Sequence, residues 1–241
     1  MAEPRLEERL IAVIARMLEG LGHVAVGAAS PIPGAAALLA RRLSAGRLRV
    51  SILGSERHNS FTDGSRELFD CAGQGRIDAF FLGGVQIDAA ANVNLLGPGA
   101  YPRTKPRFPG CFGAPYLYFM VPRVILFRQE HSPRSLVAKV DFISAPGSSA
   151  PGVYRPGGPY ALVTERCVFV FDRARGRFRL ERLHPGHDLA EIRRETGFEF
   201  DVAARLKESK APTAAALEIM RGPLIEEIAE VYPRFAARLT A

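Results

Sequence analysis

Three stretches between His23 and Leu53 follow one another in a way that few folds can house: the apolar "HVAVGA", the Ala/Leu-rich "GAAALLARRL" behind Pro31 and Pro33, and the apolar "LRVSIL". Two strands separated by a helix cannot close as a tight hairpin, so they pair in parallel as a βαβ unit. Prolines at the head of the helical run suit a first turn that needs no N–H. Upstream, Leu6, Leu10, Val13, Ile14, Met17, Leu18 and Leu21 recur at helical spacing, predicting an amphipathic helix over 4–21 that ends around Gly20 and Gly22. Downstream, "DGSRELFDCAGQGRID" reads as a short helix and turn, and "AFFLGGVQID" as a continuous apolar strand broken by paired glycines. A strand apolar on both faces suits a covered, parallel sheet. "PRVILFRQEH" and "LVAKVDFIS" read as two further strands, and the Gly147–Pro159 run as a surface loop. "YALVTERCVFVFDRARGRFRLERLHP" reads as a hairpin turning at "RARG", and the stretch from "PTAAAL" onward as C-terminal helices. The expectation is an α/β fold with a largely parallel sheet flanked by helices.

With 241 residues, 47% of them hydrophobic, the chain buries a sizeable core as one α/β domain or as two closely joined lobes. The charge of +7 and the pI near 9.7 would suit nucleic acid. The Arg and Lys residues, however, are spread without a basic run or a DNA-binding motif, which favours a phosphorylated cofactor over nucleic acid. Cys71, Cys111 and Cys167 fit neither a disulfide framework nor a CxxC metal site, and the cytoplasm is the compartment expected for them. No apolar run approaches the ~18 residues of a membrane span, and "MAEPRLEERL" is charged where a signal peptide turns apolar, so a soluble, unprocessed chain is expected. His184 and His187 stand in an HxxH spacing but flank Pro185 and Gly186 off any helix, with no third ligand, so no metal site is expected.

Paired glycines at a strand end let a ligand or backbone approach closely, and the amides of Gly83 and Gly84 can face an anionic oxygen. Gln86, Asp88, Asn92 and Asn94 follow; they either bridge this loop to itself or touch substrate. "GCFGA", from Gly110 through Gly113 to Ala114, is a second small-residue bend that offers backbone donors or merely unusual backbone angles, with Cys111 read as an inert small residue. "SILGSERHNSF" ends a strand in a polar turn holding one carboxylate, Glu56. Ser55 and His58 there lack a third group to orient a base, which argues against a nucleophilic pair. Glu56 is either an active-site carboxylate or a solvated one paired with Arg57, or with His58 when protonated.

"FLGGVQIDAAANVN" resembles the GGxQxDxxGNxN signature of family I coenzyme A transferases, with Ala91 at the usual glycine. "KPRFPGCFGA", "KVDFISAPG", "ALVTERCVFVFD" and "LHPGHDLAEIRRETGFEFDV" follow in the order of that family's β subunits, glutaconate CoA-transferase among them. The resemblance implies a single β-subunit-type domain over 1–241 and a cytoplasmic hetero-oligomer with an α subunit. It also implies an acyl-CoA substrate, CoA transfer to or from a carboxylic acid, and no permanently bound cofactor, nucleic acid or membrane. Gly83, Gly84, Gln86, Asn92, Asn94, Gly110, Gly113 and Ala114 would then border the thioester. The family's nucleophilic glutamate falls on Leu53, which has no lone pair to attack with. Glu56 lies three residues on, an odd shift that points it to the opposite face unless Gly54 bends the strand. The turn also resembles that of the cholesterol-ring-cleaving CoA thioester hydrolases, whose β chain lacks the transferase glutamate. Hydrolysis, or a non-catalytic scaffold completing a partner's site, are therefore the alternatives.

Overall fold

The structure is a computed structural model that describes residues 3–240; Met1 and Ala2 of the charged N-terminal stretch, and Ala241, lie outside it. Two compact units form, one from the residues up to Phe81 with those from Lys210 onward, the other from Leu82–Ser209. The first opens with α1 (Leu6–Met17), β1 (His23–Val26), α2 (Pro31–Leu43), β2 (Arg49–Ile52), α3 (Gly64–Gly73) and β3 (Ala79–Leu82). The second holds β4 (Gln86–Ile87), β5 (Val93–Asn94), α4 (Ala114–Met120), β6 (Arg123–Phe127), β7 (Pro159–Val163), β8 (Cys167–Asp172), β9 (Arg177–Leu183), α5 (Leu189–Glu195) and β10 (Asp201–Glu208). The chain then returns to the first unit for α6 (Ala214–Arg221), α7 (Pro223–Ala229) and α8 (Pro233–Thr240).

In the first unit β1 pairs in parallel with β2 and with β3, Val24 lying beside Val50 and Ala79. Every residue of β1 is buried, which is why its sequence carries no polar alternation. α2 packs on both β1 and β2, and α1, α6 and α7 pack on α2, so the predicted βαβ unit is built as read. α1 is shorter than the periodicity suggests: Leu18 closes it with a tightened turn onto Ala15, and Gly20 leaves at a φ of 78°. Glu8, on that helix, is buried and takes both oxygens to Arg221 of α6 at 2.7 and 2.9 Å. The guanidinium beside it holds the Glu8 carboxyl below its ordinary value.

The second unit mixes directions. β6 and β7 are parallel, as are β9 and β10, while β8 runs antiparallel to both β7 and β9. The expected hairpin does turn at residues 173–176, but Thr164 to Cys167 inserts a second turn and makes a three-stranded meander. Phe169, Phe178, Phe198 and Phe200 gather here, with ring centroids 5.1–6.0 Å apart. Two readings need correction. "LVAKVDFIS" is no strand; it lends only an isolated bridge, Leu136 beside Ile87, and Ala145 just beyond it bridges Val93. β10 was not expected at all, because its half-exposed residues carry charges without alternation, as edge strands do.

His131 lies behind Phe169, buried, with Nδ1 on Thr164 Oγ1 at 2.8 Å and Nε2 on Thr196 Oγ1 at 2.9 Å. Burial, helped by the Arg166 guanidinium, pushes its pKa from 6.5 down to about 4. The folded chain therefore refuses a proton that the unfolded chain accepts below pH 6.5. Stability should fall as pH drops from 6.5 towards 4, this residue alone costing about 3 kcal/mol. Urea unfolding at pH 7 and pH 4.5 should show a smaller acid loss for His131→Gln than for wild type; equal losses would contradict this assignment.

Candidate active site

Past β2 the chain turns at once: Leu53, half-buried, donates its amide to Val26 O at 3.0 Å but already lies in the turn that the Ser55 amide closes on Ile52 O at 3.1 Å. Gly54 then takes a φ of 89°, a left-handed angle that glycine adopts without a Cβ clash, and the chain turns back so that His58 O accepts from Ile52 N at 2.7 Å. The bend that Glu56 requires is therefore present, and the Glu56 side chain is exposed. The loop is fastened from 174 residues away: Glu230 accepts from the Glu56 amide at 2.5 Å and from the Ser55 hydroxyl at 2.6 Å. Burial works against the Glu230 charge, but these hydrogen bonds and the nearby His58 and Arg57 hold its carboxyl below the ordinary range. Sequence reading missed Glu230; its only trace is the acidic spacing of Glu226, Glu227 and Glu230 along α7 and its end.

Ser55 and His58 do not form a nucleophile and base. The serine proton goes to Glu230, and its oxygen accepts from the His58 main-chain amide, not from the ring. The His58 ring instead faces Glu227, with Nε2 3.8 Å from Oε2. Burial keeps the imidazole pKa low. Among the described residues Glu56 forms no ion pair, so neither Arg57 nor His58 neutralises it.

In the second unit the signature folds into a small hairpin, β4 against β5, with Gln86 opposite Asn94 and Ile87 opposite Val93. Its polar side chains turn inward. Asp88 accepts from the amides of Ala90 at 3.1 Å and Asn92 at 3.0 Å and from Asn92 Nδ2 at 3.1 Å. Asn94 donates to Gln86 Oε1 and to Gly97 O, both at 2.8 Å, and accepts from the Leu96 and Gly97 amides. Gln86 donates to Asp141 at 2.9 Å, and Asn92 accepts from the Gly147 amide at 3.1 Å. These contacts match the loop-bridging reading of Gln86, Asp88, Asn92 and Asn94, and they explain why "KVDFISAPG" travels with the signature. Ala91 takes a φ of 58°, a left-handed angle that glycine adopts freely and that costs alanine about 1 kcal/mol.

What the hairpin leaves outward is glycine backbone: Gly83 is exposed and Gly84 half-buried. Gly84 also has a packing reason, since a Cβ there would stand 2.4 Å from Val93 Cγ1 and 2.9 Å from Asn94 O. In the same unit Gly110 has a φ of 112° and approaches Leu96, and Gly113 precedes α4, which begins at Ala114. Gly113 itself has an ordinary φ of −88°. The left-handed residue is Phe112, at 42°, and it is 82% exposed. An exposed aromatic held at such an angle was not anticipated; strain of this kind gathers at functional loops. The remaining histidines are occupied structurally, His184 by Ser209 and Thr164 O and His187 by Glu191.

Residues 8–195, well over half of the chain, match the family described as Coenzyme A transferase. The chain belongs to that family. Among its coenzyme A transferase relatives, the B-type subunit of the 3-oxoadipate CoA-transferase of Pseudomonas knackmussii is 36% identical over 154 residues, 61% of this chain and 58% of that protein. The B-type subunit of the glutaconate CoA-transferase of Acidaminococcus fermentans is 32% identical over 148 residues, 58% of this chain and 54% of that one. The crystal structure of the glutaconate enzyme from the same organism shares the fold at a TM-score of 0.80 and 24% identity, covering 91% of this chain and 94% of that chain. The decarboxylase AibA/AibB matches at 0.79 and 25% identity, covering 99% and 100%. The chain spans little more than half the length of the curated relatives it matches. No described helix is long and apolar enough to cross a membrane.

Proposed function

We propose that this chain is the β-type subunit of a cytoplasmic, two-chain enzyme that moves CoA between an acyl-CoA thioester and a carboxylic acid, with no permanently bound cofactor. The observation that carries this is the signature hairpin within a family-matched stretch: its side chains are spent on one another, leaving the glycine backbone to meet a thioester. In this reading the amides around Gly83, Gly84, Gly110 and Gly113 border the thioester carbonyl, where donors aimed at a developing oxyanion act most strongly, and Ala114, whose own amide goes to Cys111 O at 2.8 Å, borders it with its small side chain. Gln86, Asn92 and Asn94 hold that backbone in place. Glu56, brought outward by the Gly54 bend, is the carboxylate that would replace the one missing at Leu53. Hydrolysis is the second reading, favoured by Leu53 itself, a half-buried apolar side chain where the family's nucleophile would stand.

An α-type CoA-transferase subunit is the partner this reading requires. Support comes from apolar surface on the second unit, where Phe112 and Tyr154 are 82% and 84% exposed, and Tyr101, Val153 and Ile143 about half. The test is co-expression with an α-type subunit, followed by sedimentation and acyl-CoA turnover. The chain alone should self-associate and be inactive, and the pair should form a defined complex with activity. A monodisperse monomer that turns over acyl-CoA by itself would overturn the two-chain reading.

A further inference from the structure

In the first unit a cavity of about 280 Å³ opens beside β2 and the loop that folds back along it. Four of its lining residues are arginines: Arg41 from the last turn of α2, Arg47 from the turn that follows, Arg49 from the start of β2, and Arg57 from the returning loop. No aspartate or glutamate lines it. Among the described residues none of the four forms an ion pair, although Arg42, one position from Arg41, is paired with Glu227. Surface arginines usually find a carboxylate or spread apart; four converging on one concavity repel one another, and an anion relieves that repulsion. The neighbouring histidines feel these charges: after burial, Glu227 favours a proton on His58 and Arg41 opposes it, followed by Glu230 in favour and Arg57 against, while Arg49 opposes one on His23.

Of the neutral groups that line the cavity, Ser60 is held by a hydrogen-bond chain from behind it and Asn59 by its own loop. His23 Nδ1 faces Arg76 O at 3.0 Å and must be its donor, so Nε2 accepts from Ser51, whose oxygen in turn accepts from Ser60 at 2.8 Å. The Ser60 proton is thus committed inward, which argues against this serine as a nucleophile. Asn59 accepts from the Phe61 amide through Oδ1, leaving its amide nitrogen as a donor. The α2 C-terminus opposes an anion with about half a negative charge, which four guanidinium groups outweigh.

We propose that this cavity is a binding site for a phosphoryl group, a phosphate or diphosphate on a small molecule, gripped by Arg41, Arg47, Arg49 and Arg57 with Asn59 as a neutral donor. Guanidinium forks match phosphate oxygens, and four of them around one open concavity suit a compact, multiply charged anion. The site does not depend on the thioester reading. The phosphoryl group has two possible sources, free phosphate or the phosphorylated nucleotide end of CoA, which share the same chemistry.

The test is calorimetric titration of the full chain, in its α-type complex where the chain alone associates, with pyrophosphate and separately with adenosine 3′,5′-bisphosphate. Sodium chloride at matched ionic strength is the control. Saturable binding should appear and weaken on the order of tenfold or more in Arg47→Gln/Arg57→Gln, while melting in phosphate-free buffer is unchanged or raised because repulsion is relieved. Tighter binding of the bisphosphate, with parallel weakening of CoA affinity in the variant, assigns the source to the nucleotide. Tighter pyrophosphate binding with unchanged CoA affinity assigns it to free phosphate. Either result supports the site. Binding that persists in the folded variant, or a response no greater than that to chloride, overturns it.

Discussion

Gly84→Val is expected to unfold the signature hairpin, not merely to obstruct a ligand. The new Cβ would fall 2.4 Å from Val93 Cγ1 and 2.9 Å from Asn94 O. The first contact could be eased by a rotamer change, but the second is backbone. Asn94 O is already fixed as the acceptor of the Val85 amide at 2.9 Å, so moving it breaks the ladder that sets the hairpin's register. Overpacking against backbone with loss of a buried hydrogen bond should cost roughly 3 kcal/mol or more, lowering the melting temperature by roughly 10 °C in a chain of this size. Gly113→Val is the contrast, because Gly113 has an ordinary φ. That variant should melt near wild type and lose acyl-CoA turnover if the loop borders the thioester. A Gly84→Val protein with wild-type melting would contradict the packing argument; a Gly113→Val protein with normal turnover would remove that loop from the site.

The two glycines show what a sequence conveys and what it withholds. "FLGGVQID" announces a place without side chains, but only the folded chain shows what each glycine faces: Phe127 O beside Gly83, and Val93 with Asn94 O beside Gly84. The βαβ unit was legible because helical and strand periodicities are local and the burial of β1 is complete. β10 was not, since an edge strand with charged, half-exposed residues reads as a loop. "LVAKVDFIS" misled in the opposite direction: its Leu136 serves an isolated bridge and its Asp141 serves Gln86, which no strand pattern encodes. Several of the contacts that fix these loops are long-range. Glu230 reaches Glu56 across 174 residues, and Asn92 meets Gly147 across 55, so neither partner could be named from its own neighbourhood. The Gly54 bend was foreseen as a condition on Glu56, and its left-handed φ meets that condition. The arginine cavity was invisible because Arg41, Arg47, Arg49 and Arg57 are separated in the sequence and converge only when the loop folds back.

The central claim is that thioester chemistry proceeds here with a carboxylate outside the usual position. Attack by Glu56 on an acyl-CoA would form a mixed anhydride and release CoA thiolate, whose return would leave a glutamyl-CoA thioester on the chain and free the original acid. Leu53 can form no such bond. The most direct measurement incubates the assembled enzyme with acyl-CoA in ¹⁸O-labelled water, reduces any glutamyl thioester with borohydride, and locates the modified residue by peptide mass spectrometry. The account predicts a mark on Glu56 that disappears in Glu56→Gln together with CoA transfer. Turnover with no adduct on this chain, and with solvent ¹⁸O in the released carboxylate, would contradict transfer through Glu56 and establish hydrolysis in its place.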